Sequence, residues 1–390
     1  MGPNPYEGVL YHWIGGLAAA SFYIPYKAVR HWSWETYWLV GGIFSWILAP
    51  IIFAFILVPD LPAILTHAPT KAVAWAFFWG LMWGIGGLTF GLSMRYLGIA
   101  LGYAIALGLC AAFGTIMPPL FNGDLARLGT DHPLQVVLLG VAVCLVGIAI
   151  SGLAGMSKES ELSDDQKKGQ VSEFNFLKGL IVAMFAGVMS ASFAYGLSAG
   201  KPIAQAARQS LIADGRVDLW QNLPVLIIVL LGGFITNFLW CLILNIKNRS
   251  GGEYYSAFRT RDVAELSAIE GVMNSDLHQL PYQAVAKTPE QPVPLAWNYL
   301  FSALAGITWY FQFFFYSMGQ TKMGKYDFSS WTLHMASIII FSTLWGIALR
   351  EWHGTSKRTH VLIGAGLAVL IGSTVIIGYG THLQALAASH

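Results

Sequence analysis

Trp309-Tyr310-Phe311-Gln312-Phe313-Phe314-Phe315-Tyr316, followed by Tyr326-Asp327 and, seven residues later, by His334, reads as membrane-buried helix carrying two ionisable groups among aromatics. A carboxylate and an imidazole inside a bilayer cost a few kcal/mol on insertion scales, so they persist where they face a cavity, a partner or an ion route. Seven residues is about two helical turns, which would put Asp327 and His334 on one face, ~10 Å apart along the axis. That spacing points to a proton-handling site in a transporter.

The rest of the chain agrees with a membrane setting. Hydrophobic residues make up 55% of the 390 and charged residues 11%, with a mean hydropathy of +0.57, which leaves too little charge for the surface of a soluble domain. The expected class is an all-α polytopic membrane protein whose solvent is the lipid bilayer. A net charge of +2, with the basic residues scattered through connections, excludes nucleic acid or another polyanion as partner. Cys110, Cys144 and Cys241 fall inside apolar runs without disulfide or metal spacing and read as packing residues; no metal or other cofactor is expected.

Apolar runs near the ~20 residues that cross a bilayer occur at 9–28, 36–58, 72–94, 97–121, 134–155, 178–199, 219–246, 296–320, 326–349 and 361–380. The first, with His12 near its start and another span behind it, reads as a retained helix and not a cleaved signal. A polar linker, 156–177, separates a first five-helix repeat, 1–155, from a second, 178–390, which carries a long polar loop at 247–295. Ala20-Ser21-Phe22 recurs as Ala191-Ser192-Phe193, Ser93-Met94 as Ser317-Met318, and the Gly140 to Gly147 spacing resembles Gly364 to Gly372. An odd number of spans per repeat requires the second copy to be inverted, an architecture that places a substrate site at the midplane between halves. Of the 22 Lys and Arg, 15 fall on alternate connections and 7 on the others, which by the positive-inside rule puts the termini outside.

His31-Trp32-Ser33-Trp34-Glu35-Thr36, Met82-Trp83-Gly84-Ile85-Gly86, Met94-Arg95-Tyr96-Leu97-Gly98, Phe176-Leu177-Lys178-Gly179-Leu180, the aromatic run 309–316, Tyr326-Asp327, Trp331-Thr332-Leu333-His334-Met335 and Glu351-Trp352 resemble, in colinear order, the signature stretches of the bacterial L-rhamnose–proton symporter family (RhaT-type) of the drug/metabolite transporter superfamily. The resemblance implies ten helices, a multi-pass location in the bacterial inner membrane, and proton-driven uptake of a 6-deoxyhexose, L-rhamnose or a close relative. The connections 200–218 and 247–295 look longer than the family pattern.

A neutral deoxyhexose offers no charge to capture, so recognition falls to hydrogen bonds and to aromatic faces against the C–H patches of the ring. Trp83, Trp309, Tyr310 and Trp331 lie in glycine- or polar-flanked parts of their spans and are the aromatic candidates. Gln312, with two donors and an acceptor, is the leading hydroxyl partner and Asn237 a second; for both, an interhelical hydrogen bond is the competing reading. Asp327 is the leading proton carrier, with His334 as its partner or as a sugar ligand; the competing role for Asp327 is capping the ninth helix. His12 reads as a satisfied polar residue. Lys27, Glu35 and Arg95, at helix ends, either snorkel to headgroups or pair as gates, and the resemblance favours gates. Gly80, Gly84, Gly87 and Gly91 form a packing ridge, and Pro25 and Pro202 are places to bend.

No HExxH, GxSxG or CxxC arrangement is present and Asp327 is the only acid within a span, so an enzyme is not expected. A proton-coupled exporter of another metabolite or hydrophobic compound shares the fold and is the alternative. Sodium coupling would call for a set of oxygen ligands at a helix break that the sequence does not offer.

Overall fold

A computed structural model of the chain describes residues 4–97, 99–121, 123–161, 176–259 and 291–387. Most of the 156–177 linker and of the 247–295 loop therefore lies outside the described residues. The helices are α1 Pro5–Ser21, α2 Tyr23–Tyr26, α3 Trp34–Ile43, α4 Ala49–Leu57, α5 Leu61–Thr66, α6 Thr70–Leu97, α7 Ile99–Phe121, α8 His132–Ser160, α9 Phe176–Ser190, α10 Ser192–Ala199, α11 Lys201–Ala213, α12 Leu223–Asn248, α13 Leu295–Lys322, α14 Ser330–Ala348 and α15 Lys357–Ala387. Extended structure among the described residues is one antiparallel pairing of two residues, Phe258 with Pro292 and Arg259 with Gln291.

Eight stretches among the described residues are long and apolar enough to cross a membrane: Trp34–Leu57, Thr70–Phe90, Ala104–Phe121, His132–Ser160, Leu177–Ala199, Asp218–Asn248, Gly324–Ala348 and Lys357–Ala387. The expected spans 9–28 and 296–320 are not among them. α1 is only 17 residues long, and α13, at 28 residues, is diluted by Asn298, Ser302, Gln312, Ser317 and Gln320. Of these two less apolar helices, α1 packs against both α13 and α14.

The described helices are interrupted at four places, two of them beside a proline. Pro50 has no N–H to return to the carbonyl four residues back, and the helix widens to a π turn over Phe44–Leu48, with the Ala49 N–H reaching Phe44. Phe22 separates α1 from α2 and Ala191 separates α9 from α10, each within the recurring Ala-Ser-Phe tripeptide. Pro202 does not bend the preceding span; it starts a new helix, α11, whose Ile203, Ala204, Ala207 and Leu211 are buried while the opposite face is exposed.

Glycine permits the closest helix approaches. Along α6, a side chain at Gly80 would collide with the Val229 carbonyl of α12 and one at Gly84 with the Thr236 hydroxyl, whereas Gly87 faces open space. α8 lies along α15. Gly140 and Gly147 meet Ile377 and Leu370 there, but Gly364 and Gly372 touch nothing; the α15 glycines that face α8 are Gly366 and Gly380, with Gly378 against Val9, so the shared glycine spacing has no shared use.

Polar contacts collect at two ends of the bundle. At the first, Lys322 pairs with Glu7 (2.9 Å), the Tyr326 hydroxyl donates to Asp131 (2.5 Å) and Asn222 donates to Gln320 (3.2 Å). At the second, the Glu161 carboxylate accepts from the Ser356 hydroxyl, the Thr359 hydroxyl and the Ser356 N–H, each at 2.6 Å, tying the end of α8 to the start of α15. These bonds, the Ser356 hydroxyl's first, hold the Glu161 carboxyl at about 2, below its ordinary 4.5.

Two outcomes are expected in detergent. Gly80→Leu overpacks the α6–α12 crossing and lowers stability by about 1–3 kcal/mol or more, while Gly87→Ala leaves the melting temperature unchanged. A carboxyl depressed in the folded state contributes stability that is complete above pH 4.5 and is lost as pH falls toward about 2. Thermal melts of Glu161→Gln should therefore lack that part of the acid dependence.

Candidate functional site

Helices α6, α10, α13 and α14 and the π turn deliver aromatic side chains to one column. Trp83 and Trp309, both half-buried, stack with ring centroids 5.7 Å apart and planes 24° apart. Trp46, turned inward by the π turn, meets Trp309 edge-on at 5.2 Å. Phe193 lies 4.4 Å from Phe313 and stacks on Trp331 at 5.5 Å, and Tyr316 closes the column against Trp331 at 5.6 Å. The column offers both faces and edges of large rings, suited to the alternating C–H and O–H surfaces of a small ring compound. Beside Trp309, the space left among Phe22, Tyr26, Trp38 and Trp46 is only about 10 Å³, so these rings must part before a monosaccharide can enter there.

Several polar atoms buried around this column have no hydrogen-bond partner among the described residues: Gln312 Nε2, the Ser192 and Ser330 hydroxyls, Trp46 Nε1, and both ring nitrogens of His12 and of His334. An unpaired buried donor or acceptor costs about 1–3 kcal/mol, so such a cluster is costly unless something else binds there. Others are satisfied. Trp331 Nε1 donates to the Cys110 carbonyl (3.0 Å), and Thr115 and Thr332 share a hydrogen bond of 2.6 Å.

The sequence-predicted residues are distributed as follows. Trp83, Trp309 and Trp331 belong to the column, and Gln312 is buried beside it on α13. Tyr310 is buried with its hydroxyl unpartnered, but its ring neighbours are Phe53, Phe311 and Phe314, outside the column. Asn237 accepts from Trp38 Nε1 (3.3 Å) and donates to the Gly233 carbonyl (2.9 Å), a helix-to-helix tie. Glu35 is buried at the second end, accepting from the Ser250 hydroxyl (2.7 Å) and Asn248 Nδ2 (3.0 Å); Lys27 is exposed at the end of α2. The side chain of Arg95 lies outside the described residues.

Asp327 differs from expectation. It sits in the 3-10 turn Gly324–Ser329 and not on α14 with His334, because Gly324 adopts φ +60° and Tyr326 leaves helical dihedrals (φ −101°, ψ 36°). Nor does it cap α14, whose N-cap, Ser329, receives no side-chain bond. Its carboxylate pairs instead with Lys201 of α11 at 3.0 Å. The two line a polar hollow of about 350 Å³ at the first end, together with Gln205, Arg208, Asn222 and Gln320. A smaller hollow of about 80 Å³ continues inward from Asp327 to Tyr316, past Ser198 and Pro118. Next to it, burial works against the charge of Asp131, yet the Tyr326 hydroxyl, the Leu134 N–H and Lys325 outweigh it and hold that carboxyl below its ordinary range.

His334 meets a different partner. Its ring lies 6.5 Å from that of His12 on α1, with Tyr316 5.2 Å from the one and 5.3 Å from the other. The expectation that His12 is satisfied therefore fails. Trp46, Phe193, Tyr316 and Lys201 were also missed; Pro50 behind Trp46 and the recurring tripeptide at Phe193 were the available signals, and nothing local marked Lys201.

A family model described as L-rhamnose-proton symport protein (RhaT) matches residues 4–297 and 276–383. Proteins named L-rhamnose-proton symporter match almost end to end. That of Cronobacter sakazakii is 37% identical over 374 residues, 96% of this chain and 97% of that protein. Those of Shigella sonnei and Klebsiella pneumoniae are 36% and 35% identical with the same coverage.

The two lysine pairs at the first end should behave differently. Lys201 and Asp327 keep 50% and 28% of their side-chain surface exposed, which makes their attraction worth about 0–1 kcal/mol, so Lys201→Gln should scarcely move the melting temperature. Lys322 keeps only 8%, and Lys322→Gln, which leaves Glu7 without its cation, should cost about 2–3 kcal/mol by the same measurement.

Proposed function

The chain belongs to the L-rhamnose-proton symport protein family, and from that membership together with the buried aromatic column we propose that it takes up L-rhamnose, or a closely related deoxy sugar, with a proton across the bacterial inner membrane. The family is one of transporters and not of enzymes. The carrying observation is the unpartnered Gln312 Nε2, one helical turn on from Trp309, which stacks on Trp83: a site that supplies rings for C–H faces and an unspent donor for hydroxyls. A greasy export substrate would leave that amide unpaired, so the exporter alternative is not favoured.

In this reading ten spans form two inverted five-helix repeats, 1–155 and 178–390, with α1 and α13 crossing as well as the eight more apolar stretches. Support comes from the recurring tripeptide, Ala20-Ser21-Phe22 and Ala191-Ser192-Phe193, near which each repeat's first span is interrupted, at Phe22 and at Ala191. Trp83, Trp309, Trp331 and Gln312 contact or frame the sugar, Tyr310 packs behind them with Phe53 and Phe314, and Asn237 holds Trp38 against the column. Asp327, at the hollow shared with Lys201, and His334, deeper in, handle the proton. Glu35 belongs to the seal of the second end, with Lys27 and Arg95 as the other helix-end charges there. One proton crossing ~150 mV releases roughly 3.5 kcal/mol, enough for a several-hundred-fold sugar gradient.

Labelled rhamnose uptake into vesicles, with and without a protonophore, tests this directly. Accumulation should collapse when the proton gradient is removed, and accumulation that survives would overturn the symport reading. Asp327→Asn should abolish uphill uptake while retaining exchange. Gln312→Ala should weaken sugar affinity about tenfold with uphill uptake still present, the loss of roughly 1.4 kcal/mol of hydrogen bonding.

A further inference from the structure

We propose that His12 and His334 together form the buried binding site of the transported proton, with Tyr316 positioned between them. This rests on the symport reading and locates the proton within it. The two imidazoles come from different helices, α1 and α14, and both are fully buried. Their ring centroids are 6.5 Å apart with planes at 57°, and none of the four ring nitrogens has a hydrogen-bond partner among the described residues. A structural core histidine donates its N–H to a carbonyl or carboxylate; here neither does.

Two neutral imidazoles expose two donors and two acceptors with nothing to receive them. Adding one proton to a ring nitrogen lone pair changes the balance. The protonated ring becomes a two-donor cation, and the other ring, with its centroid 6.5 Å away, presents a lone pair to it through one bridging water. The rings of Tyr316, 5.2 Å from His334, and Trp331, 6.2 Å from it, supply negative π faces for the cation. A second proton would place two cations side by side in a dry interior, so the pair holds one. Glycine keeps this corner clear: a Cβ at Gly319 would come 2.8 Å from His12 Nε2.

The surroundings supply no permanent countercharge that would fix the pair in one state. On the side of α1 and α13, Glu7 is already paired with Lys322, and Tyr316 is neutral. From α7 and α8 come Cys110 and Cys144, each buried as a thiol, and α15 brings His382 against Tyr6 at the first end. Past Tyr316 stands Asp327, paired with Lys201, and farther along the same end Asp131 with Lys325. Tyr316 lines the small hollow that Asp327 also lines, and its ring packs against both histidines, so the approach from the first end reaches one ring short of the pair. Gln312 is four residues before Tyr316 on α13 and shares its face, which links sugar occupancy to the geometry of the pair.

The test uses full-length protein in proteoliposomes, reading rhamnose-driven proton entry with a trapped pH dye and labelled rhamnose counterflow in parallel. His12→Gln and His334→Gln should each lower rhamnose-driven proton entry by about tenfold or more while counterflow persists and loses its dependence on pH. Proton entry at the wild-type ratio to sugar in either counterflow-active variant would overturn the assignment and leave the symport reading intact. Absence of rhamnose-driven proton entry in the wild-type protein would instead overturn the symport reading. Should neither variant fold, wild-type protein in weakly buffered detergent decides: rhamnose binding should take up close to one proton per sugar between pH 7 and 8, and binding without proton uptake overturns the pair.

Discussion

No water reaches the hydrocarbon of a bilayer, so each polar group carried into it must be answered from within the protein. Most groups here are answered locally. Ser93, Ser317 and Ser373 each return their hydroxyl to a carbonyl three residues back, Trp331 reaches the Cys110 carbonyl, and Asn237 bridges to Trp38. Unanswered groups occur elsewhere among the described residues too, at Trp13, Trp32, Ser302, Trp352 and Gln384, but one subset, Gln312, Ser192, Ser330 and the two imidazoles, lies on the helices that carry the ring column or against Tyr316. A subset of that kind suits a hydroxylated, neutral ligand and a mobile proton.

The two ends of the bundle are tied by different polar contacts, and the second also carries a largely apolar hollow of about 440 Å³ lined by Ile148, Lys158, Glu351 and Trp352. At the second, Glu253 accepts from the Ser33 N–H (2.6 Å), the Ser33 hydroxyl (2.7 Å) and the Thr36 hydroxyl (2.8 Å), while Glu35 holds Ser250 and Asn248. Asn298 of α13 adds bonds to the backbone of Arg30. That end is latched by several charge-assisted bonds acting together. At the first end a polar hollow already penetrates as far as Tyr316, and the pair across it, Lys201 with Asp327, is half in water. A carrier that exposes its site to one side at a time needs one end latched while the other yields, and the tight aromatic packing around Trp309 is the layer between them.

How much of this was legible in the sequence follows from how local each cause is. Apolar runs, proline starts and glycine approaches act within one or two turns, so the helical class and most segment positions could be read directly. The Asp327 placement could not. Seven-residue spacing carried it onto the face of His334, but Gly324 and Tyr326 broke the helix first, and the carboxylate's partner, Lys201, is over a hundred residues away. His12 failed for the same reason: judged alone it was an ordinary polar residue, and only the crossing of α1 over α14 sets it against His334. Trp83, Trp309 and Trp331, marked by glycine or polar neighbours, lie in the ring column, whereas Tyr316, in an equally aromatic run, carried no mark of its own.

Coupling a neutral sugar to a proton demands that the half-loaded states be the costly ones. An imidazolium held in the dry interior is unfavourable unless some group answers its extra donor, and a sugar hydroxyl oxygen is such an acceptor. Conversely, a sugar bound at Gln312 finds fewer donors when both rings are neutral. Each occupant therefore improves the site for the other, and by linkage the two effects are equal in free energy. Asp327 fits this scheme as the port and not as a second store: paired with Lys201 and half in water, it can pass a proton inward without the cost of residing uncompensated in the interior. In the proposed scheme, one buried store filled through one exposed acid would carry a single proton with each sugar.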